Sequence, residues 1–463
     1  MYQTTCIQIK NNQKELFNYC NDMTNLAKLF KNSVIFRCRQ LLSAKNKNFT
    51  NLNDNEKQVL EEFKLTEDKY NQISNKYYLP NYYHFVYMFT KTKNVDYYNN
   101  LPMQSNQQII KEVLQDFNSF YKSIKDYSKN PNKYTGKPKL PKYIKVENTS
   151  FDITNQDCVI YKHKTNNLNS NLNNNKKTSY LKLPKTKVIL NLGKLEINKL
   201  KEVTIKPYYN TYKICIVYEI DDTSNNKELD ETRILGIDLG ITNIVSTSNN
   251  CGLTPFVING NGLKSFNQWF NKKHSLLQSK LPKNQYTSKR LEYLYQYRNN
   301  RTNDFYNKVA SYIIYYCLHN NIGTIIIGKN IQWKTNINIG NKNNQTFCNI
   351  AHTQLINKLN QLSKKVGIVV MQIEESYTSK ASFLDNDDIP TYTKNSNTNT
   401  SNLNYQFSGK RVCRGLYKTK NGIYINADVN GASNIIKKGN PLAFNNLNDL
   451  SYLYTSVNKI LIK

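Results

Sequence analysis

The spacing of apolar and polar positions changes several times along the chain, and each change marks an element. Residues 2–9 alternate weakly, which predicts one strand. Residues 12–45 carry Leu16, Leu26, Leu29, Phe30 and Ile35 as an intermittent apolar helical face. Residues 105–127 repeat the signal with Ile109, Val113, Phe117, Phe120 and Ile124, and these aromatic side chains read as core. Across 130–147, three prolines and a glycine forbid a long helix. From 150 to 220 the short apolar runs 180–183, 188–192 and 212–220 recur between turns and predict strands.

A polar stretch at 221–231 then reads as a linker into a second half. There, Ile234, Leu235 and Ile237 form a strand that ends at Asp238, and residues 262–320 are largely helical with a break near Pro282. The stripe Val309, Ile313, Tyr316 belongs to a helix packed on a core. The runs 324–327 and 366–373 predict buried strands, and 352–365 predicts an amphipathic helix between them. Asn421-Gly422 between alternating residues predicts a hairpin. Two Asn-rich tracts, 163–177 and 393–404, read as disordered loops. Strands separated by helices on this scale predict an α/β core with partly parallel strands.

Composition narrows the class. The chain has 463 residues, with 64 Lys plus Arg against 33 Asp plus Glu, a net charge of +31. Such an excess repels itself unless something anionic lies on it, so a polyanionic partner is expected. No apolar run reaches the roughly 18 residues of a membrane span and no secretory leader is visible, so nucleic acid is preferred to a membrane surface. An AT-rich coding sequence accounts for some of the Asn, Lys, Tyr and Ile abundance, but Asp and Glu are not comparably enriched. The nine scattered cysteines include no CxxC, which argues for reduced thiols in a cytosolic or nuclear setting. Lys137, Lys139, Lys142 and Lys145, interleaved with Tyr134 and Tyr143, suit phosphate contact with occasional stacking; a solvated linker is the alternative.

With acids scarce, those at the ends of apolar strands stand out. They are Asp238, the pair Glu374 and Glu375 after VGIVVMQI, and Asp428 at the entry to a short helix. Burying an unpaired carboxylate is costly, so these positions imply a metal, an ion pair or an open strand end. In a strongly basic chain they point to a metal-dependent nuclease: hard Mg²⁺ takes carboxylate oxygens, and two such ions serve phosphodiester hydrolysis. The five histidines suggest no Ser-His-Asp or Cys-His arrangement, and the absence of GxxxxGK[ST] argues against an NTP-driven motor.

The strings GIDLGITNIVST, EESYTSKASFLDND, SGKRVCRGLYK and INADVNGASNI together resemble the TnpB family of transposon-encoded, RNA-guided DNA endonucleases, related to Fanzor proteins and compact type V CRISPR effectors. LFKNSVIFRCRQ, FNSFYKSIKDY and NPNKYTGKPKLPKY extend the resemblance to the first half. It implies a RuvC-like nuclease of RNase H fold, preceded by an oligonucleotide-binding-like wedge β-barrel that a helical recognition domain interrupts. The implied division is 1–10 wedge first strand, 11–130 recognition domain, 131–230 wedge barrel, 231–380 leading nuclease segment, 381–425 target-nucleic-acid-binding insert, and 426–463 closing nuclease segment with the tail. It also implies a guide RNA from the transposon end, double-stranded target DNA beside a short adjacent motif, and Mg²⁺, with Mn²⁺ as a substitute. The expected setting is the cytoplasm or nucleoid of a prokaryote, or a nucleus or viral factory.

Carried over by position, Asp238 matches the first catalytic acid and Asp428 the third. Most members place the second acid where this chain has Gly328, in IIIGKN; a minority branch supplies it just before YTSK, which makes Glu375 first choice and Glu374 the fallback. Typical relatives also carry two CxxC pairs around the insert. Here Ser382 and Asp385 stand in the first pair and only Cys413 remains later, so no zinc is expected. Arg411 and Arg414 of the insert are expected to contact nucleic acid. The missing acid at Gly328 keeps open a nuclease-inactive RNA-guided DNA-binding protein, and the acids also permit, less readily, a DNA transposase.

Overall fold

The computed structural model describes residues 2–45, 47–70, 79–164, 177–219, 228–329, 350–391 and 405–462. The Asn-rich tracts expected as loops lie almost wholly outside these residues, as does most of the linker. The chain divides into two compact units, Met1–Asp222 and Thr223–Lys463. Among the described residues no helix is long and apolar enough to cross a membrane.

The first unit opens with β1 (Tyr2–Ile9), then packs α1 (Lys14–Ala44), α2 (Asp54–Lys64), α3 (Tyr82–Lys91) and α4 (Met103–Lys129). Asn53 and Glu56 form a reciprocal capping box that starts α2, and Asn81 accepts from the His84 N–H to start α3. Leu16, Phe30 and Ile35 of α1 and Ile109, Val113 and Phe117 of α4 enter one core, as their spacing predicts. Leu29 does not; it is exposed, because the stripe follows positions 27, 30 and 34 and turns residue 29 outward.

The strands β2 (Phe151–Thr154), β3 (Val159–Lys164), β4 (Lys177–Lys182), β5 (Ile189–Gly193), β6 (Lys199–Tyr208) and β7 (Thr211–Glu219) follow. They pair as two sheets, β1-β7-β6-β2 and β3-β4-β5. Antiparallel register sets Cys6 opposite Cys215, and the two are joined as a disulfide. This corrects the expectation that every cysteine is a free thiol. The two residues lie 209 apart in sequence, and only strand pairing brings them together.

The second unit is built on a six-stranded sheet of β8 (Asp230–Asp238), β9 (Asn243–Asn249), β10 (Phe256–Asn259), β11 (Ile322–Gly328), β12 (Val369–Ile373) and β16 (Asn458–Ile460). The order is β12-β11-β8-β9-β10-β16; β8, β9 and β10 run antiparallel, while β11 and β12 run parallel to β8. Helices α5 (Asn261–Gln278), α6 (Lys289–His319) and α7 (His352–Val366) supply the crossovers. β11 is buried at every position, as its run of isoleucines predicts. β12 is not the buried strand expected: it is the sheet edge, with Val369 and Met371 about two-fifths exposed. An apolar run alone cannot separate edge from centre.

The hairpin strands β13 (Lys410–Cys413), β14 (Leu416–Lys418) and β15 (Tyr424–Asn426) make a small sheet, turned at Gly422 with φ +82°. The helix α8 (Ala427–Gly439) then lies across the large sheet, and α9 (Tyr452–Thr455) precedes β16. Both units mix helix and sheet.

Candidate active site

Two glycines set the distance between α8 and the sheet. A Cβ on Gly236 of β8 would stand 2.4 Å from Ile436 Cγ1 and 2.6 Å from the Ala432 carbonyl oxygen; one on Gly431 would stand 2.9 Å from Asp238 Oδ2. The first would drive a side chain into the backbone of α8, and the second would push the Asp238 carboxylate aside. The bare backbone at both positions therefore lets α8 close on the end of β8, where Asp238 sits. Asn426 caps α8 by accepting from the N–H groups of Asp428 and Val429, which fixes Asp428 in the first turn, where the helix dipole favours a negative charge.

Glu375 reaches the same end of the sheet from the neighbouring edge. β12 pairs in parallel with β11 so that Ile373 is opposite Gly328, and the chain runs on to Glu374 and Glu375. A Cβ on Gly328 would lie 3.0 Å from Glu375 Oε2. Burial is the chief cause pushing the Asp238 carboxyl up to about 7; the charges of Glu375 and then Asp428 add to it, against the Arg411 guanidinium. Burial, with the charge of Glu374, also pushes Glu375 up to about 7. The charges of Glu375 and Asp428 both act on Asp238, so the three acids form one electrostatic group.

Glu374 belongs to a different arrangement. Its carboxylate pairs with Lys438 and accepts from the Ser376 N–H at 2.8 Å. Although burial opposes it, these partners hold its carboxyl below the usual glutamate range. Lys438 completes a polar ladder on α8 with Asn430 and Asn434, at i, i+4 and i+8 on one face. Asn430 donates to the Ala381 carbonyl at 2.8 Å and accepts from the Phe383 N–H at 3.0 Å. Asn434 donates to the carbonyls of Thr378 and Ala381, both at 2.8 Å. Lys438 also donates to the carbonyls of Ser376 and Pro390, both at 3.2 Å. The helix that carries Asp428 thus grips the loop that follows Glu375. Sequence reasoning does not single out Asn430, Asn434 or Lys438; the available signal is three polar residues four apart along one helical face.

The insert reaches the group from another side. Arg411 of β13 lies 3.6 Å from Asp428 Oδ1, Asn243 donates to Asp428 Oδ2 at 2.9 Å, and Arg414 donates to Thr242 Oγ1 at 2.8 Å. Ser382 and Asp385, on the loop itself, bond to each other at 2.6 Å, Asp385 also accepts from the Lys420 N–H at 2.8 Å, and Cys413 is exposed. Among the described residues no three Asp, Glu, His or Cys side chains stand close enough to hold a metal ion as placed. In chemistry the donor set does suit a hard divalent cation: carboxylate oxygens only, with repulsion that a cation would relieve.

The basic segment lies in the first unit. Lys137, Lys139, Lys142 and Lys145 are all exposed along an extended strap. The strap is tied down along α1: Arg39 donates to the Pro141 carbonyl at 2.8 Å, Asn32 exchanges two bonds with the Ile144 backbone at 2.8 and 3.0 Å, and the Thr149 N–H reaches Thr24 at 3.2 Å. The Arg39 guanidinium also faces the Tyr143 ring at 5.4 Å. The lysines therefore stand on a fixed backbone.

Comparison with known proteins gives a family for a stretch of the chain. Residues 215–334 match the model of the OrfB_IS605 family, described as a probable transposase, which is the TnpB-type family. No curated protein matches. Among solved structures, the Cas12f1–sgRNA–target DNA complex is 14% identical over 94% of this chain and 98% of its own, with a TM-score of 0.32. A CRISPR-Cas12f ternary complex is 15% identical over 87% of this chain and 81% of its own, at 0.30. CasPhi-2 (Cas12j) bound to crRNA is 9% identical over 79% and 92%, at 0.37. Superpositions this loose leave the reading of the site to its own geometry.

Proposed function

We propose that this chain, TnpB-type across residues 215–334, is an RNA-guided endonuclease that cuts target DNA beside a transposon-adjacent motif. The observation that carries the reading is the convergence on the end of β8: α8 packs on Asp238 at Gly431 and carries Asp428 in its first turn, and Glu375 leans over Gly328 of the neighbouring strand, although the three acids are far apart in sequence. Asp238, Glu375 and Asp428 would hold two Mg²⁺ ions, and Glu374, engaged by Lys438, would not. Such ions, when bound, supply an activated water and stabilise the leaving 3′-oxygen. The residues around them orient the site: Asn243 and the α8 cap hold Asp428, and the α8 ladder holds the Glu375 loop.

The insertion of α1–α4 between β1 and β2 supports a wedge barrel interrupted by a recognition domain. The mixed sheet of the second unit supports a RuvC-like nuclease. Lys137, Lys139, Lys142 and Lys145 are assigned to nucleic-acid backbone, and Arg411 and Arg414 to DNA near the cut. Guide RNA is the sequence reader in this scheme, and the protein reads the adjacent motif and duplex shape.

Sequencing RNA that copurifies with the protein tests guidance. With that RNA, the wild type should cut motif-bearing DNA in Mg²⁺, and Asp238→Ala should bind without cutting. A wild type that binds guide and target but never cuts in Mg²⁺ or Mn²⁺ supports the nuclease-inactive reading instead. The Arg411–Asp428 contact favours that second reading, since a cation held there by Asp428 would have to compete with the guanidinium.

A further inference from the structure

α5 and α6 present a face that the core does not use. The helices run antiparallel, as the contacts Phe266–Tyr297, Phe270–Tyr295 and Asn267–Arg298 require. Leu263, Phe266 and Phe270 of α5 and Leu291 and Leu294 of α6 are buried, so the amphipathic requirement is already met. Outside that core remain Trp269, 45% exposed, Tyr297, 41%, and Tyr293, 66%. Singly exposed rings are ordinary on a surface, but a group of them on one face marks a binding surface.

Their arrangement is regular. On α6, Arg290, Tyr293, Tyr297 and Arg301 fall at i, i+3, i+7 and i+11, all on one exposed side. Trp269 on α5 meets Tyr297 edge-on at 6.0 Å and stacks on Phe266 at 5.5 Å, so this ring is held in place. The Arg301 guanidinium lies over the Phe266 ring at 4.5 Å. Residues 261–301 contain nine Lys or Arg and one acid, Glu292. Rings flanked by cations on a strongly positive helical hairpin match a strand that offers bare base faces and phosphates together. A duplex seals its base faces by stacking and offers only the phosphates.

We infer that the Trp269–Tyr293–Tyr297 face of α5 and α6 is a stacking platform for single-stranded DNA. The choice of DNA rests on the endonuclease reading above, in which one strand of the target is held unpaired.

Full-length protein carrying Trp333→Phe leaves Trp269 as the sole tryptophan. It is titrated with a twelve-residue oligothymidylate in EDTA, where no metal-dependent cutting occurs. Quenching of tryptophan emission is expected, with Tyr297→Ala and Tyr293→Ala each weakening binding by about tenfold by fluorescence anisotropy. The exposed Tyr293 supplies a variant without a packing role if Tyr297→Ala unfolds. Unchanged emission overturns the platform, as does equal quenching by a blunt duplex. Preference for oligouridylate assigns the face to RNA and overturns the proposal, and a Tyr293-dependent dimer in the absence of oligonucleotide assigns it to a second copy. A separate cleavage assay in Mg²⁺ with guide and target keeps the two readings apart: a wild type that cuts there but is not quenched in EDTA would retain the nuclease and lose the platform, and one that is quenched but never cuts would retain the platform and lose the nuclease.

Discussion

Gly328 makes room for Glu375. A methyl group at residue 328 would lie 3.0 Å from Glu375 Oε2 and 2.6 Å from Ile435 Cδ1. The position where the family resemblance leads to the expectation of an acid has no side chain here, and the Glu375 carboxylate, just past the end of the next strand, leans over it. Gly328→Ala should therefore displace Glu375 without touching the surfaces assigned to guide and target. Cleavage should fall by about tenfold to a hundredfold, the scale of a misplaced reacting group, with guided DNA binding unchanged by gel shift. An undiminished cleavage rate would show that Glu375 needs no such space.

The two adjacent glutamates have opposite surroundings and should answer differently to the same change. Glu375→Gln should lower single-turnover cleavage by more than about a hundredfold, because it removes a proposed metal-holding charge. Glu374→Gln weakens the Lys438 pair and removes a charge that bears on Glu375 but leaves the proposed metal-holding carboxylates in place, so the loss should stay within about tenfold, as for a supporting partner. A reversed order would make Glu374 the metal-holding acid.

Much of this is readable in the chain and some is not. Strand β11, helices α1 and α4, the hairpin at Asn421-Gly422 and the acids at strand ends all follow from local period and turn chemistry. What fails is non-local. Leu29 counts towards the apolar face of α1 by composition, although its angular position turns it to solvent, and β12 reads as a central strand until its neighbours are known. The Cys6–Cys215 link depends on register across 209 residues. The choice between Glu374 and Glu375 is open in sequence because side-chain direction past a strand end is set by tertiary partners, here Lys438 for one and the Gly328 gap for the other. The closeness of α8 to the sheet rests on Gly236 and Gly431, whose role is invisible without the facing atoms.

Asn434 tests whether the α8 ladder holds the loop after Glu375. Asn434→Ala removes its bonds to the buried carbonyls of Thr378 and Ala381; Asn430 still serves Ala381, so the Thr378 carbonyl is the group that loses this donor, a loss that typically costs about 1–3 kcal/mol. Thermal unfolding should occur earlier. Well below the new melting temperature, kcat for cleavage should fall more than DNA affinity does. A variant that melts early but cuts at the wild-type rate would confine Asn434 to stability.

Glu56 gives the first unit an acid-sensitive tie. Its buried carboxylate takes Lys47 at 2.6 Å and the Asn53 N–H at 3.0 Å, and these partners, Lys47 foremost, lower its pKa from 4.5 to about 2. A carboxyl whose folded pKa is depressed binds its proton more readily when unfolded, so unfolding takes up protons as pH falls. The stabilisation is complete above about pH 4.5 and is lost progressively as pH drops towards 2. Glu56→Gln, which cannot pair with Lys47 as an anion, should melt below wild type at pH 7. The gap between their melting temperatures should narrow steadily from pH 5 to pH 3. A gap that stays constant across that range, in circular dichroism melts of the two full-length proteins, would mean that the ion pair contributes nothing and that only the shape of the side chain matters at the start of α2.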